Sequence, residues 1–510
     1  MALVRDRMAR RDQMFLQMVG ETIWAHPTSP YRRLLEWARW SPDRLAESVR
    51  HRGLDATLQV LLDDGVYLSY EEFKGRTPIQ RDGLVLECTE AHFDNPAVPH
   101  SFDFHTGGTR SQGSRVPASV ESTAAQRAVA WRLTLEGVGV WDRPVILWMS
   151  RGAGFNWWLA LLHSGRPAVR WFSLSDPSAI RVRAPSRELF ALTQAIALTR
   201  GLRAPSIRFT PLSEADMVLD TILQVRARRG ACLVVTPVSA AARLAGLARW
   251  RRITLDRVGF LVGGEPLTPG KHRDITSAGA QAWPRYAISE FGAVGVPCGQ
   301  GTAIDDVHFL TDSFGLVRRQ RVLPDGSAVD ALMMTTLLPT SMKITLNVAN
   351  DDFAEVSERP CGCLWDELGL HTHLSSIRSF SKLTGWGVTV LGTDCVRIIE
   401  EVLPREFGGN STDYQLLEAE DDDHRTRLYL LVSPSVGPID EERVKARFIE
   451  AMHDPTRRRD LVPPLWRQAD TIKVIQREPV STATGKLLPF HTLAGVPASA
   501  RTLASTALRE

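Results

Sequence analysis

The chain has 510 residues, 44% of them hydrophobic and 23% charged, a composition that excludes a disordered or fibrous protein and predicts more than one hydrophobic core. Sixty-one Lys and Arg stand against 58 Asp and Glu, for a formal charge of +3; the signs are interspersed, so a nucleic-acid partner is not expected. The longest apolar runs, at 157–162 and 428–432, fall far short of the roughly 18 residues that cross a bilayer, and no membrane association is expected.

Residues 1–17 carry Arg5, Arg7, Arg10 and Arg11, interrupted by Asp6 and Asp12, and read as an amphipathic surface helix without a signal-peptide pattern. The first hundred residues, with Trp37, Trp40, Leu45 and Val49 at helical spacings, read as a helical cap. An extended segment at 102–105 then leads into Thr106-Gly107-Gly108-Thr109-Arg110-Ser111-Gln112-Gly113-Ser114-Arg115. Small residues let the backbone approach a phosphate, hydroxyls add donors, and Arg110 or Arg115 can neutralise charge. Ser114 stands where a kinase-type P-loop needs Lys, which disfavours that motif; a polar surface turn is the alternative reading.

From residue 144 onward, short apolar runs at 145–149, 168–173, 231–236 and 257–262 alternate with helical patterns, the signature of a layered α/β domain. After the glycine-punctuated stretch 382–392, strands at 427–432 and 471–476 flank a helix over 441–452 whose Val444, Phe448, Ile449 and Met452 share one face. The expected architecture is therefore α/β: a large layered α/β N-terminal domain over 1–380, including the cap at 1–100, followed by a smaller mobile α+β lid domain over 381–510.

Six cysteines in a chain of this size, with Cys361 and Cys363 too close to bridge each other, point to a reducing compartment, and the cytoplasm is expected. Cys298, His308, Cys361 and Cys363 make up a tetrahedral zinc set, with His371 or His373 as substitutes for His308. The alternative treats Cys298 and His308 as packing residues. Cys88, Cys232 and Cys395 lie in apolar contexts and read as packing residues.

Taken in order from Thr106 to Lys486, the motifs resemble those of the adenylate-forming superfamily of acyl-CoA synthetases and adenylation enzymes, particularly its phenylacetate-CoA ligase-like branch. The loop with Thr106, Gly107, Gly108, Thr109 and Arg110 is similar to the family's nucleotide-binding loop, and Gly263-Gly264-Glu265-Pro266 resembles its adenine-contacting turn. Tyr286-Ala287-Ile288-Ser289-Glu290 is similar to the family's Tyr-Gly-x-Thr-Glu. That likeness implies an aromatic ring by the adenine at Tyr286, a hydroxyl by the α-phosphate at Ser289, and a magnesium carboxylate at Glu290. Asp352-Phe353-Ala354-Glu355-Val356 resembles the element whose Asp holds the ribose hydroxyls, with Arg378 assisting. Asp351 is the other candidate, although alignment on Glu355-Val356 favours Asp352. Pro479-Val480-Ser481-Thr482-Ala483-Thr484-Gly485-Lys486 is similar to the motif ending in the family's catalytic Lys. Phe291, Ala293 and Val294 resemble its acyl-pocket wall, and His105 is placed near the substrate carboxylate. Some phenylacetate-CoA ligase-like proteins have a Cys and His arrangement similar to the one here. Departures from the pattern are Ala287 for Gly, Asp351 where Gly is usual, Gly113 for the loop Pro, and Arg110-Ser111 for Thr-Gly.

The resemblance implies attack of a carboxylate on the α-phosphate of ATP with loss of pyrophosphate, Lys486 and a magnesium ion on Glu290 balancing the accumulating negative charge. It further implies transfer of the acyl group to coenzyme A after a lid rotation about Ser381-Lys382. The expected substrate is an aromatic or medium-sized carboxylic acid, and the expected assembly a monomer or homodimer. Delivery to an amine or a carrier-protein thiol is the alternative within the family, and a non-catalytic nucleotide- and zinc-binding scaffold is the alternative outside it.

Overall fold

The computed structural model describes residues 1–99, 102–105, 115–175, 187–322, 328–379, 392–420, 426–452, 472–482 and 484–492. Two small antiparallel pairs come first: β1 (Ile79–Arg81) with β2 (Leu84–Leu86), and β3 (Phe102–His105) with β4 (Arg115–Ala118). Then follow β5 (Val145–Met149), β6 (Arg170–Ser173), β7 (Ile207–Phe209), β8 (Cys232–Pro237), β9 (Val258–Gly263) and β10 (Gln281–Ile288). These six are parallel neighbours in the order β10-β9-β8-β5-β6-β7. Every residue of β8 and β9 is buried, because crossover helices cover both faces of a parallel sheet and demand a continuous apolar run. The α/β alternation read from 144 onward holds, with strand limits moved by one or two residues.

The same sheet continues as an antiparallel half that sequence pattern does not reveal. β11 (Gly292–Pro297), β12 (Val307–Phe309), β13 (Phe314–Val322), β14 (Ala328–Thr336), β15 (Val348–Glu358) and β16 (Thr372–Ser379) extend it from β10 in the order β11-β12-β16-β15-β14-β13, giving twelve strands. Beyond residue 392 lies a separate four-stranded sheet, β19 (Ile472–Gln476), β18 (Thr426–Val432), β17 (Tyr414–Glu420) and β20 (Phe490–Thr492), in that spatial order. The helix Glu441–Ala451 packs on it through buried Val444, Phe448 and Ile449, as its period predicts. The boundary expected at 380/381 and the pivot at 381–382 lie outside the described residues.

The N-terminus differs from the expected surface helix. It forms two helices, Ala2–Ala9 and Arg11–Val19, and Met14, Phe15, Met18 and Val19 of the second are buried. Arginines dominate the composition of this stretch, but the apolar stripe at i, i+1, i+4 and i+5 decides which face turns inward. With Leu34, Leu58 and Leu61, Phe15, Met18 and Val19 build a core against Val317, Met333 and Val348 of β13, β14 and β15. The cap is helical except for the β1–β2 hairpin. Among the described residues no helix is long and apolar enough to cross a membrane.

Candidate active site and metal centre

The sheet changes from parallel to antiparallel at β10, and the carboxyl ends of β9 and β10 open beside each other. The order of the parallel strands reverses between β5 and β8, a topological switch that leaves a crevice outside their carboxyl ends. Gly263 ends β9 and Gly264 follows in a left-handed turn with φ of 79°. Tyr286 to Ile288 end β10, and the turn 289–291 carries Ser289, Glu290 and Phe291 into β11. The glycine-rich segment falls between two strands that pair, with His105 opposite Arg115; Thr106, Gly107, Gly108, Thr109 and Arg110 lie outside the described residues, as does the His105 side chain.

Glu290 is held by a residue that the sequence reading passed over. Lys74, from the cap, forms an ion pair with Glu290, and its Nζ lies 3.7 Å from Glu90. Glu90 in turn accepts a hydrogen bond from the Arg115 backbone N–H at 2.9 Å. Arg115 itself pairs with Asp94 at 2.7 Å and Asp103 at 3.1 Å, so its charge is committed to carboxylates rather than open to a phosphate. The exit of the glycine-rich segment and the carboxylate of the β10 turn are thereby joined through one buried ammonium. Lys343 braces the same cluster, 2.8 Å from Asp94.

On the other side of β10, the Tyr286 hydroxyl donates to Asp352 Oδ2 at 2.6 Å and accepts from Asn350 Nδ2 at 2.7 Å. Burial and the facing carboxylate push the Tyr286 pKa well up, which keeps the hydroxyl a donor. Asp352 stands across β15 and β16 from Ser379, one register step from Arg378, whose guanidinium pairs with Asp305 at 3.5 Å. Tyr286, Asp352 and Arg378 thus share a neighbourhood although they come from three strands.

Lys486 arrives from the C-terminal segment. Thr482 to Lys486 form a tight turn in which Gly485 takes a φ of 77°, and Lys486 Nζ donates to the Gly264 carbonyl at 2.9 Å. The next residue anchors the turn: Leu487 N–H donates to Ser239 Oγ at 3.1 Å. Ser239 Oγ donates to Glu265 at 2.7 Å, and Glu265 lies 3.7 Å from Lys271, which also meets Glu400 at 3.0 Å. Burial alone would lower the Lys271 pKa, but Glu400 and Glu265 raise it, so the ammonium stays charged. The Glu265 side chain therefore points into this buried bridge between the two sheets' helices, and the exposed part of the turn it belongs to, with Pro266 half-buried beside it, is the Gly264 backbone. Arg243 adds a second tie, 3.0 Å from Asp413.

Behind the β10–β11 turn lies a cavity of about 100 Å³, lined by Ser289, Glu290, Phe291 and Ala293 and by Leu310, Phe314 and Trp365. Phe291 and Ala293 are where an acyl pocket was expected. Val294 is fully buried in the core beneath them.

Cys298, at the end of β11, meets His308 of β12 and the Cys361-Gly362-Cys363 turn after β15, their ligand atoms all within 4.8 Å of one another. His308 Nδ1 faces the Leu370 carbonyl at 2.8 Å, and its Nε2 lies 3.0 Å from Cys363 Sγ and 3.5 Å from Cys361 Sγ. Hydrogen bonds from Cys298 and His308 pull the Cys363 thiol down to about 3. Three sulfurs and one oriented imidazole fit a closed tetrahedral zinc set. The two substitutes are engaged elsewhere, His371 with Asp366 at 2.6 Å and His373 with Asp306 at 2.7 Å.

No protein-family model matches the sequence, and no curated protein matches it. In structure the chain is similar to the anthranilate CoA ligase AuaEII in complex with anthranoyl-AMP, with 12% identity, a TM-score of 0.46 and coverage of 83% of this chain and 69% of that one. It is also similar to the amide bond synthetase McbA from Marinactinospora thermotolerans, with 16% identity, a TM-score of 0.40 and coverage of 95% and 84%. Fatty acyl-adenylate ligases from E. coli and L. pneumophila give 11%, 0.41, 82% and 71%. At TM-scores below 0.5 these likenesses carry no chemistry to this chain, whose own residues decide its function.

Proposed function

We propose that the chain is an adenylate-forming ligase of the phenylacetate-CoA ligase-like kind, activating a carboxylic acid with ATP and passing the acyl group to coenzyme A. The observation that carries this reading is Lys486 Nζ on the Gly264 carbonyl, 222 positions away in sequence, at the open end of the parallel strands. A cation brought there from the segment that carries the separate sheet supports a charge-balancing role.

In this reading the glycine-rich segment at 106–114 and the Ser289 hydroxyl receive the phosphates, Asp352 takes the ribose hydroxyls, and Lys486 draws the substrate carboxylate and the α-phosphate together. Attack by one carboxylate oxygen forms the new P–O bond and breaks the bond to pyrophosphate. Glu290 fits a magnesium site that draws its remaining ligands from phosphates and water; bound there, the ion would offset charge on the leaving pyrophosphate. Lys74 already lies on that carboxylate and supplies positive charge to the same place. The lid spans 381–510 and rotates between the two half-reactions, the cytoplasm is the expected compartment, and an amine or a carrier-protein thiol replaces coenzyme A if product analysis shows no dependence on it.

ATP–pyrophosphate exchange against a panel of aromatic and medium-sized acids tests the reading: at least one acid is expected to support exchange, and a silent panel with intact ATP binding would favour a non-catalytic scaffold.

The four-residue cluster would hold zinc through Cys298, Cys361, Cys363 and His308 Nε2, cross-linking β11, β12 and the turn after β15. Protein purified without chelator is expected to contain about one zinc per chain, and Cys363→Ser to lose most of it and melt several degrees lower. An intact fold with far less than stoichiometric metal would reject the assignment.

A further inference from the structure

Among the described residues the cavity behind the β10–β11 turn is lined by four charged side chains, three of them paired. Glu290 is met by Lys74, and Arg7 lies 3.4 Å from Asp312. The fourth is Arg127, on the helix Val120–Gly137. Among the described residues Arg127, half-buried in the cavity wall, makes no hydrogen bond and no ion pair, and desolvation pushes its pKa down to about 10. Its neighbour Arg285 is likewise half-buried, and its pKa is pushed down to about 10 by desolvation and then by the Arg127 charge, but it lies 5.4 Å from the centroids of both the Trp131 and Trp157 rings, whose faces offset part of its charge. Arg127 has no such compensation. A guanidinium stays protonated in proteins, and an unpaired charge partly withdrawn from water gains from a ligand that supplies the counter-charge.

The position of Arg127 says which part of a ligand it meets. The helix runs along the cavity wall: Arg127 sits at one end, its Nη2 3.8 Å from where a Cβ on Gly292 would lie. Leu133 follows along the wall, and Gly137 at the other end lies beside Trp365. The Arg127 end adjoins Ser289 and Glu290, where adenylation is proposed, whereas the far end is apolar and aromatic. A volume of about 100 Å³ approaches that of cavities of roughly 150 Å³ known to hold one benzene ring.

We infer that Arg127 binds the reacting carboxylate of the acid substrate, orienting a single-ring aromatic acid with its ring toward Leu310, Phe314 and Trp365. This assignment rests on the adenylation chemistry proposed above. It adds a cation that neutralises the nucleophile before Lys486 docks, so that two anions need not approach each other unaided.

The test is calorimetric titration of benzoate, phenylacetate and cinnamate, with benzamide as the uncharged control, into the full chain and into Arg127→Met and Arg127→Lys. The unsubstituted chain is expected to bind at least one of the three acids and to prefer benzoate over benzamide. Arg127→Met should weaken acid binding by roughly 10–100-fold and erase that preference, while the KM for ATP stays unchanged and Arg127→Lys recovers part of the loss. Free of ligand, Arg127→Met should melt no lower than the unsubstituted chain, since it removes an unpaired, half-buried charge. Acid binding within twofold of normal in a folded Arg127→Met chain, no binding of any of the three acids, or no discrimination against benzamide would each overturn the inference. Acid binding that depends on Arg127 without exchange for any acid would leave the inference standing and remove the adenylation reading instead.

Discussion

Lys486→Ala is expected to lower acid-dependent ATP–pyrophosphate exchange by at least about 100-fold, the scale for losing one preorganised charge-stabilising group at a reacting phosphate or oxyanion, with little change in melting temperature. The second half of that expectation follows from the structure. The Lys486 ammonium sits against a backbone carbonyl at the mouth of the crevice and contributes nothing to the cores that hold either sheet together. Exchange that survives the substitution would show that the ammonium is only a surface contact. A parallel loss of exchange and of thermal stability would make it a structural tie.

Gly485→Ala is expected to block the same half-reaction without touching the ammonium. At a φ of 77° an L-residue is strained by about 1–2 kcal/mol, or roughly 5–30-fold in occupancy of the docked turn. The added Cβ would also lie 2.4 Å from Leu174 Cβ and 3.1 Å from its Cγ, at the end of β6, where a backbone-proximal atom has little room to yield. Exchange should fall by more than the strain alone predicts. Thioester formation from acyl-adenylate supplied directly should persist, because the proposed lid rotation would withdraw the turn from Leu174. Equal loss of both half-reactions would indicate damage to the turn rather than failed docking, and unchanged exchange would mean that adenylation occurs in another arrangement.

The parallel half of the sheet was legible because strands buried on both faces must be apolar nearly throughout, as 232–235 and 258–262 are. The antiparallel half was not. β13 reads Leu316-Val317-Arg318-Arg319-Gln320-Arg321, and β15 carries Asn350, Asp351 and Asp352 mid-strand, since one face of each meets solvent or the crevice. Motif order singled out Tyr286, Asp352, Glu290 and Lys486 as candidates; Tyr286 meets Asp352, and Lys486 reaches the Gly264 carbonyl at the end of β9. Choosing among His308, His371 and His373 needed coordinates, because only strand register shows that His308 turns its Nε2 toward the sulfurs. Lys74, Arg127 and Lys271 had no local signal at all. Each is one cation among sixty-one, and its importance comes from long-range pairing, or from the lack of it, that no spacing rule encodes. Glu265 lay within a recognised motif, yet its direction is set by Ser239 and Lys271 rather than by its neighbours in sequence.

The central claim is that a substrate carboxylate oxygen attacks the α-phosphate of ATP. It is tested most directly by supplying an acid labelled with oxygen-18 in both carboxylate positions, together with ATP, magnesium and an acceptor, and weighing the AMP released. The account predicts AMP carrying one heavy oxygen, the former bridge of the acyl-adenylate, and unlabelled pyrophosphate. Unlabelled AMP, or ADP with label in inorganic phosphate, would contradict it.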